Sequence, residues 1–223
     1  MIAGAVRGDV VRAARLLRSR GLAVGTSGNV SARGHGGRIA VTPANLDYDE
    51  LTEADVVIVD ASGAVLEGGR RPTSELPLHL AVYAARPDVG AIVHTHSPYA
   101  TTFSLVRQPI PAVHYVLATL VEPGGDRIEI AEYATFGTAE LGTNVIGALG
   151  PDHAVLLASH GAIAVGPDLA TAFARAERVE ELAMLAWRAA AIGTAAILDA
   201  AELDRVRDQM ARFPRQTGRS SSG

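Results

Sequence analysis

The stretch "DVGAIVHTHSPYA", residues 88–100, is an apolar, partly β-branched run that ends in two histidines one residue apart. Bounded by Pro87 and Pro98, it predicts a short buried strand. Side chains at i and i+2 of a strand share a face, so His94 and His96 project side by side from its end. Two neutral imidazoles so placed can take two corners of a tetrahedral or five-coordinate metal site, with N–Zn distances of about 2.0–2.1 Å. H-x-H is a short motif, and a polar strand end that binds nothing is the competing reading.

The segments around this strand set the fold class. "DVVRAARLLRSRGL" has helical periodicity and stops at Gly21, and "GRIAVTP" predicts a strand entering a turn. "VVIVDASGAV" reads as a strand, a turn and a second strand, which is hairpin chemistry. "SELPLHLAVYAARPD" predicts a helix with Pro77 in its first turn, where a missing N–H costs little. A helix is expected to start at "SPYATTFSLV". "EIAEYATFGTAELGTNVIGALG" mixes a strand with a helix, and "HAVLLASHGAIAVG" reads as two strands around "SHG". "DLATAFARAERVEELAMLAWRAAAIG" is a long amphipathic helix. This irregular alternation, with no repeat and no interdomain linker, predicts an α/β fold: a single three-layer domain with a central, mainly antiparallel sheet flanked by helices. The domain is expected over 1–215, with "GRSSSG" in a disordered tail at 216–223.

Composition narrows the function classes. The 223 residues are 48% hydrophobic and 20% charged, with a net charge of −4. No basic footprint argues for nucleic acid or an anionic membrane. There are no cysteines, so a metal site must use His, Asp and Glu. All 20 basic residues are arginine, which excludes a lysine-imine mechanism. "MIAGAVRGDVVRAARLL" reads as a helix rather than a signal peptide, and no apolar run is long enough to span a bilayer, so a cytoplasmic protein is expected.

Other residues compete for a place beside the histidine pair. His160 follows an apolar strand and precedes a glycine, which sets it at a sheet mouth as a third-ligand candidate. Glu75 opens a helix after Thr73 and Ser74. It is either a first-turn carboxylate favoured by the helix dipole or part of a metal and anion site at that N-terminus. "GTSGNVSAR" offers Gly25 and Gly28 for close backbone approach and Thr26, Ser27 and Asn29 as donors. It lacks the lysine of a P-loop and is not G-x-G-x-x-G, so it is either a phosphate cradle of another kind or a surface loop. His35 and His153 read as loop residues, and His79, mid-helix, as structural.

In order, "TSGNVS", "VTPAN", "PTSELPLH", "VHTHSPYA", "IPAVHY" and "LLASHGAIAVG" resemble the class II aldolase/adducin-head family, nearest to its L-fuculose-1-phosphate aldolases, over residues 8 to about 190. The resemblance implies fourfold-symmetric homotetramers with active sites between subunits and a phosphorylated sugar as substrate. It implies one Zn2+ per subunit on His94, His96 and His160. Glu75 would be the catalytic carboxylate and a further ligand when substrate is absent. Gly28, Asn29, Thr73 and Ser74, with the turn at Ala44 and Asn45, would hold the phosphate. Tyr115 would act across the subunit interface. The implied reaction is retro-aldol cleavage of a ketose 1-phosphate to dihydroxyacetone phosphate and an aldehyde through a metal-stabilised enediolate. Pentulose-5-phosphate 4-epimerases, decarboxylases of phosphorylated keto-acids, dehydratases of sulfur-containing ketose phosphates and the non-catalytic adducin head share the fold and are the alternatives. Two departures stand out. "TPAN" replaces the family's T-P-T-G turn, and Phe213 stands near where the fuculose aldolases carry a second tyrosine.

Overall fold

The computed structural model describes the backbone of residues 2–213 and the side chains of residues 6–213; the tail expected at 216–223 lies outside the described residues. Helix α1, Ile2–Ser19, ends just before the expected Gly21 stop, and the Leu22 N–H donates to the Leu17 carbonyl at 2.8 Å. Four short strands follow: β1 Asn29–Arg33, β2 Ile39–Val41, β3 Val57–Val59 and β4 Val65–Glu67. Next come α2 Leu76–Ala85, the histidine strand β5 Ala91–Thr95, and α3 Pro98–Leu105. Strands β6 Ile110–Pro111, β7 Arg127–Ile128 and β8 Ile130–Ala131 precede α4 Ala139–Leu149. Strands β9 Ala154–Leu157 and β10 Gly161–Gly166 lead into α5 Leu169–Ile192 and α6 Ala200–Arg212.

One eight-stranded sheet runs β4-β3-β2-β1-β5-β10-β9-β8, and β6 pairs with β7 in a separate ribbon. Every neighbouring pair in the large sheet is antiparallel except β8 with β9. The expected α/β sandwich, with a central mainly antiparallel sheet, is therefore the fold observed. Strands β2, β3, β5, β9 and β10 split their side chains between two cores, as a period of two requires. Ile39, Val41, Val57, Val59, Ile92, Val155, Leu157 and Ile163 pack under α2 and α4. Val30, Ala32, Val93, Leu156, Ala162 and Ala164 pack under α1 and α5. Burying each such valine, leucine or isoleucine stabilises the fold by about 1.5–3 kcal/mol, which is what holds the two helical layers on.

Strand β5 lies at the centre, paired with β1 on one side and β10 on the other. Helix α3 docks beside it because Glu180 of α5 accepts from the Tyr99 and Ala100 backbone N–H groups at 2.9 and 2.8 Å, a carboxylate closing a helix N-terminus. Among the described residues no helix is long and apolar enough to cross a membrane.

Candidate active site

The fixed centre of the site is the end of β5. His94 is fully buried, and its Nδ1 lies 3.0 Å from the Ala162 carbonyl on β10. A carbonyl only accepts, so Nδ1 carries the proton and Nε2 presents a lone pair. That lone pair points at His96 Nε2, 2.9 Å away, and at Glu75 Oε2, also 2.9 Å away. The three rings of His94, His96 and His160 stand edge to face with centroids 4.8–4.9 Å apart. His160 is brought in by the β9–β10 turn, where Ser159 takes a left-handed conformation (φ 55). The residue after His160 must be glycine, since a Cβ on Gly161 would lie 2.2 Å from the Thr95 carbonyl oxygen of β5.

Glu75 sits at the N-terminal boundary of α2, but its carboxylate does not cap that helix. It turns to the imidazoles, with Oε1 3.1 Å from His160 Nε2 and Oε2 beside His94. The His160 contact lacks hydrogen-bond geometry, so buried Oε1 has no donor. Burial alone would raise the Glu75 carboxyl, yet neighbouring His94 and His160 hold it well below the usual carboxylate range. Burial would likewise depress His94, and the Glu75 charge outweighs it and raises that imidazole. His96 is pushed down to about 3, first by burial and then by the like charges of His94 and His160. The set thus converges electron pairs on one point and demands one positive charge among them. One ligand atom from each of Glu75, His94, His96 and His160 lies within 4.8 Å of the others, a group that could hold a metal ion. Three imidazoles and a carboxylate, with an orphaned buried oxygen, suit a divalent cation.

A cavity of about 280 Å³ opens beside the cluster, lined by Gly28, Asn29, Ala44, Asn45, Thr73, Ser74, Glu75, His96 and His160, together with Thr26, Ser27, Pro43, Tyr48 and Phe136. The residues expected around a phosphate therefore share one cavity with two of the histidines. The Gly28 turn (φ 70) presses so closely on β5 that a Cβ would meet the His94 carbonyl oxygen at 2.8 Å. Tyr48 fixes the same turn, its buried hydroxyl donating to the Gly28 carbonyl at 2.6 Å. Asn45, which replaces a glycine of the related pattern, has φ 55, so the turn keeps its left-handed residue in a side chain that tolerates that conformation.

Tyr115 is not brought to this cavity. It opens the short 3-10 turn Tyr115–Thr119, is 52% exposed, and shares a separate depression with Arg175, Arg178 and Phe213. His79, read as structural, is wholly buried and hydrogen-bonded to Asn29 and Ser31, one helical turn after Glu75. Sequence reasoning passed over Tyr48, which fixes the Gly28 turn, and Phe136. Phe136 lines the cavity from a loop with no pattern of its own.

Comparison with known proteins agrees with this architecture. Residues 8–187 match the model of the class II aldolase and adducin N-terminal domain family. The chain is 42% identical over 209 residues to a 5-methylthioribulose-1-phosphate/5-deoxyribulose-1-phosphate aldolase of Rhodospirillum rubrum, covering 94% of this chain and 92% of that protein. It is 44% identical over 165 residues to an L-fuculose phosphate aldolase of Escherichia coli, covering 74% of each. A solved L-fuculose 1-phosphate aldolase superposes with a TM-score of 0.88 at 36% identity, over 93% of this chain and 96% of that one. The chain belongs to the class II aldolase and adducin N-terminal domain family, and within it stands with the aldolases.

Proposed function

We propose that this protein is a zinc-dependent aldolase that cleaves, and in reverse forms, a ketose 1-phosphate. The observation that carries the reading is the convergence of His94, His96, His160 and Glu75 at the wall of a cavity rich in hydroxyls, amides and free loop backbone. His94, His96 and His160 would hold the zinc, which would supply a Lewis acid for the negative charge that develops as the carbon–carbon bond breaks.

The chain's own residues do the rest. Gly28, Asn29, Thr73 and Ser74, with the Ala44–Asn45 turn, hold the phosphate remote from the breaking bond and so orient it. Glu75 moves the proton at the carbon that becomes nucleophilic in the three-carbon fragment. Tyr115 takes the proton of the hydroxyl that becomes the aldehyde. Its exposed place outside its own chain's cavity fits service to a neighbouring copy, which the homotetramer with intersubunit sites implied by the family resemblance would supply. We assign residues 1–215 to the one catalytic domain.

Among ketose phosphates, we favour 5-deoxypentulose or 5-alkylthiopentulose 1-phosphates over L-fuculose 1-phosphate. Support comes from the likeness to the Rhodospirillum rubrum aldolase over 94% of this chain, against 74% for the Escherichia coli fuculose enzyme. Phe213 points the same way. Cleavage of a 5-deoxypentulose 1-phosphate between C3 and C4 gives dihydroxyacetone phosphate and acetaldehyde, which has no second oxygen for a tyrosine hydroxyl to hold.

The test is condensation of dihydroxyacetone phosphate with acetaldehyde, methylthioacetaldehyde and lactaldehyde by zinc-loaded protein, with products identified by NMR. No condensation with any aldehyde defeats the aldolase reading. A preference for lactaldehyde defeats the substrate assignment alone. Zinc well below one per subunit after metal-replete purification would favour an interaction module of the adducin kind.

A further inference from the structure

Strand β1 reads "NVSAR", the alternation of a strand with one wet face, yet its polar side is not wet. Asn29 and Ser31 are 4% and 0% exposed, and they face His79 and Tyr83 of α2, which are 0% and 3% exposed. Buried polar groups persist only when hydrogen-bonded, and here the bonds form one chain. Tyr83 Oη lies 2.9 Å from Ser31 Oγ, and Ser31 Oγ lies 2.7 Å from His79 Nδ1. On the other side of the ring, His79 Nε2 lies 2.5 Å from Asn29 Oδ1, and Asn29 Nδ2 lies 2.8 Å from Glu75 Oε2.

One placement of protons satisfies every link. Ionised Glu75 accepts, so the amide nitrogen of Asn29 must face it and the amide oxygen must face His79. Asn29 Oδ1 accepts, so His79 Nε2 bears the ring proton. Nδ1 is then a lone pair that takes the Ser31 hydroxyl proton, and the Ser31 oxygen takes that of Tyr83. Every donor points toward Glu75. Reversing the amide would set two oxygens 2.8 Å apart in a dry site.

We propose that His79 is a positioning residue for the proton-transfer step. By holding the Asn29 amide in one orientation, it anchors Glu75 Oε2 and leaves Oε1, which has no donor, as the oxygen that works. This rests on the role given to Glu75 above. It also means that the Asn29 side chain is largely committed inside the protein, keeping one amide proton for a ligand.

Zinc-loaded protein labelled with ¹⁵N-histidine tests the relay directly. The expected His79 signature is the Nε2–H tautomer, and an Nδ1–H tautomer would overturn the proposal whether or not the protein proves to be an aldolase. In kinetics, His79→Leu should lower kcat by about 10- to 100-fold, the usual cost of losing such a supporting hydrogen bond, with zinc content near wild type and KM raised by less than kcat falls, since Asn29 also faces the phosphate. His79→Gln should restore most of the lost kcat, because its amide oxygen and nitrogen can stand in for the two ring nitrogens. A folded His79→Leu protein with unchanged kcat, or a glutamine variant no better than leucine, refutes it. If the leucine variant does not fold, Ser31→Ala decides: an Nε2–H tautomer kept without the Ser31 hydroxyl supports an orientation set through Asn29 and Glu75, and a switch to Nδ1–H overturns it.

Discussion

Gly28 offers the sharpest test of how the loop and the histidine strand are fitted together. Gly25 and Gly28 both have left-handed backbones, φ 62 and 70, so alanine at either costs about 1–2 kcal/mol in conformation. Part of that is returned because alanine restricts the unfolded chain by about 0.4–1 kcal/mol. Beyond this the two sites differ. A Cβ at Gly25 meets nothing within 4 Å, whereas at Gly28 it meets the His94 carbonyl oxygen at 2.8 Å and the Ala23 Cβ at 3.3 Å. Strand β5 cannot retreat, being held by β1 and β10, so the loop must move instead. Overpacking of this kind adds about 1–3 kcal/mol. Gly25→Ala should therefore cost about 1 kcal/mol or less and Gly28→Ala about 2–4 kcal/mol, a difference of roughly 2–12 °C in Tm for a chain of this size. Because Asn29 follows Gly28 into the cavity, kcat/KM should fall by about 10- to 100-fold in Gly28→Ala alone. Differential scanning calorimetry and steady-state cleavage assays read both quantities. Equal losses in the two variants would refute the close approach as the reason for glycine.

Further outcomes follow from the same geometry. His94→Ala or His96→Ala should drop metal content well below one per subunit and abolish activity while circular dichroism stays near wild type; full metal retention would remove that residue from the donor set. Glu75→Gln should keep most of the metal and lose about 10²- to 10⁴-fold in cleavage, as expected for removal of a general acid–base group; unchanged turnover would end its assigned role. Burial first, and then the charge on His94, lowers His79 from the ordinary 6.5 to about 3, so the unfolded state takes up its proton first. The stability this residue contributes is complete above pH 6.5 and is lost as pH falls toward 3, amounting to about 2 kcal/mol between pH 7.5 and 5. Urea midpoints at those two pH values should show the loss in wild type and a smaller one in His79→Gln. Asn45→Ala should destabilise by about 1 kcal/mol and Asn45→Gly by less, measured the same way, because only alanine is penalised at φ 55.

Much of the fold was legible because its signals are local. The β-branched run before His94, the "DASG" hairpin turn, Pro77 at a helix start and the "SHG" turn each specify their own geometry. Helix α6 was passed over although Leu203, Val206 and Met210 stand at the i, i+3, i+7 spacing of an apolar stripe, with Leu203 its one fully buried residue. The convergence of His94, His96 and His160 could be read as a motif order, but its geometry depends on β5 and β10 being neighbours, a long-range pairing that no window of sequence carries. Strand β1 was missed for a different reason: "GTSGNVSAR" reads as one Gly/Ser/Asn-rich loop, yet Asn29–Arg33 is a strand whose polar Ser31 meets not water but a histidine and a tyrosine of α2.

The imidazoles of β5 and the β9–β10 turn are aimed by main-chain pairing, not by whatever they grip. Such a socket is built before it is filled. Emptying it by chelation would leave the surrounding architecture standing, and cobalt or manganese could take the vacated seat without the chain refolding. Which cation resides there in a cell is then governed by supply and ligand preference and not by assembly of the fold.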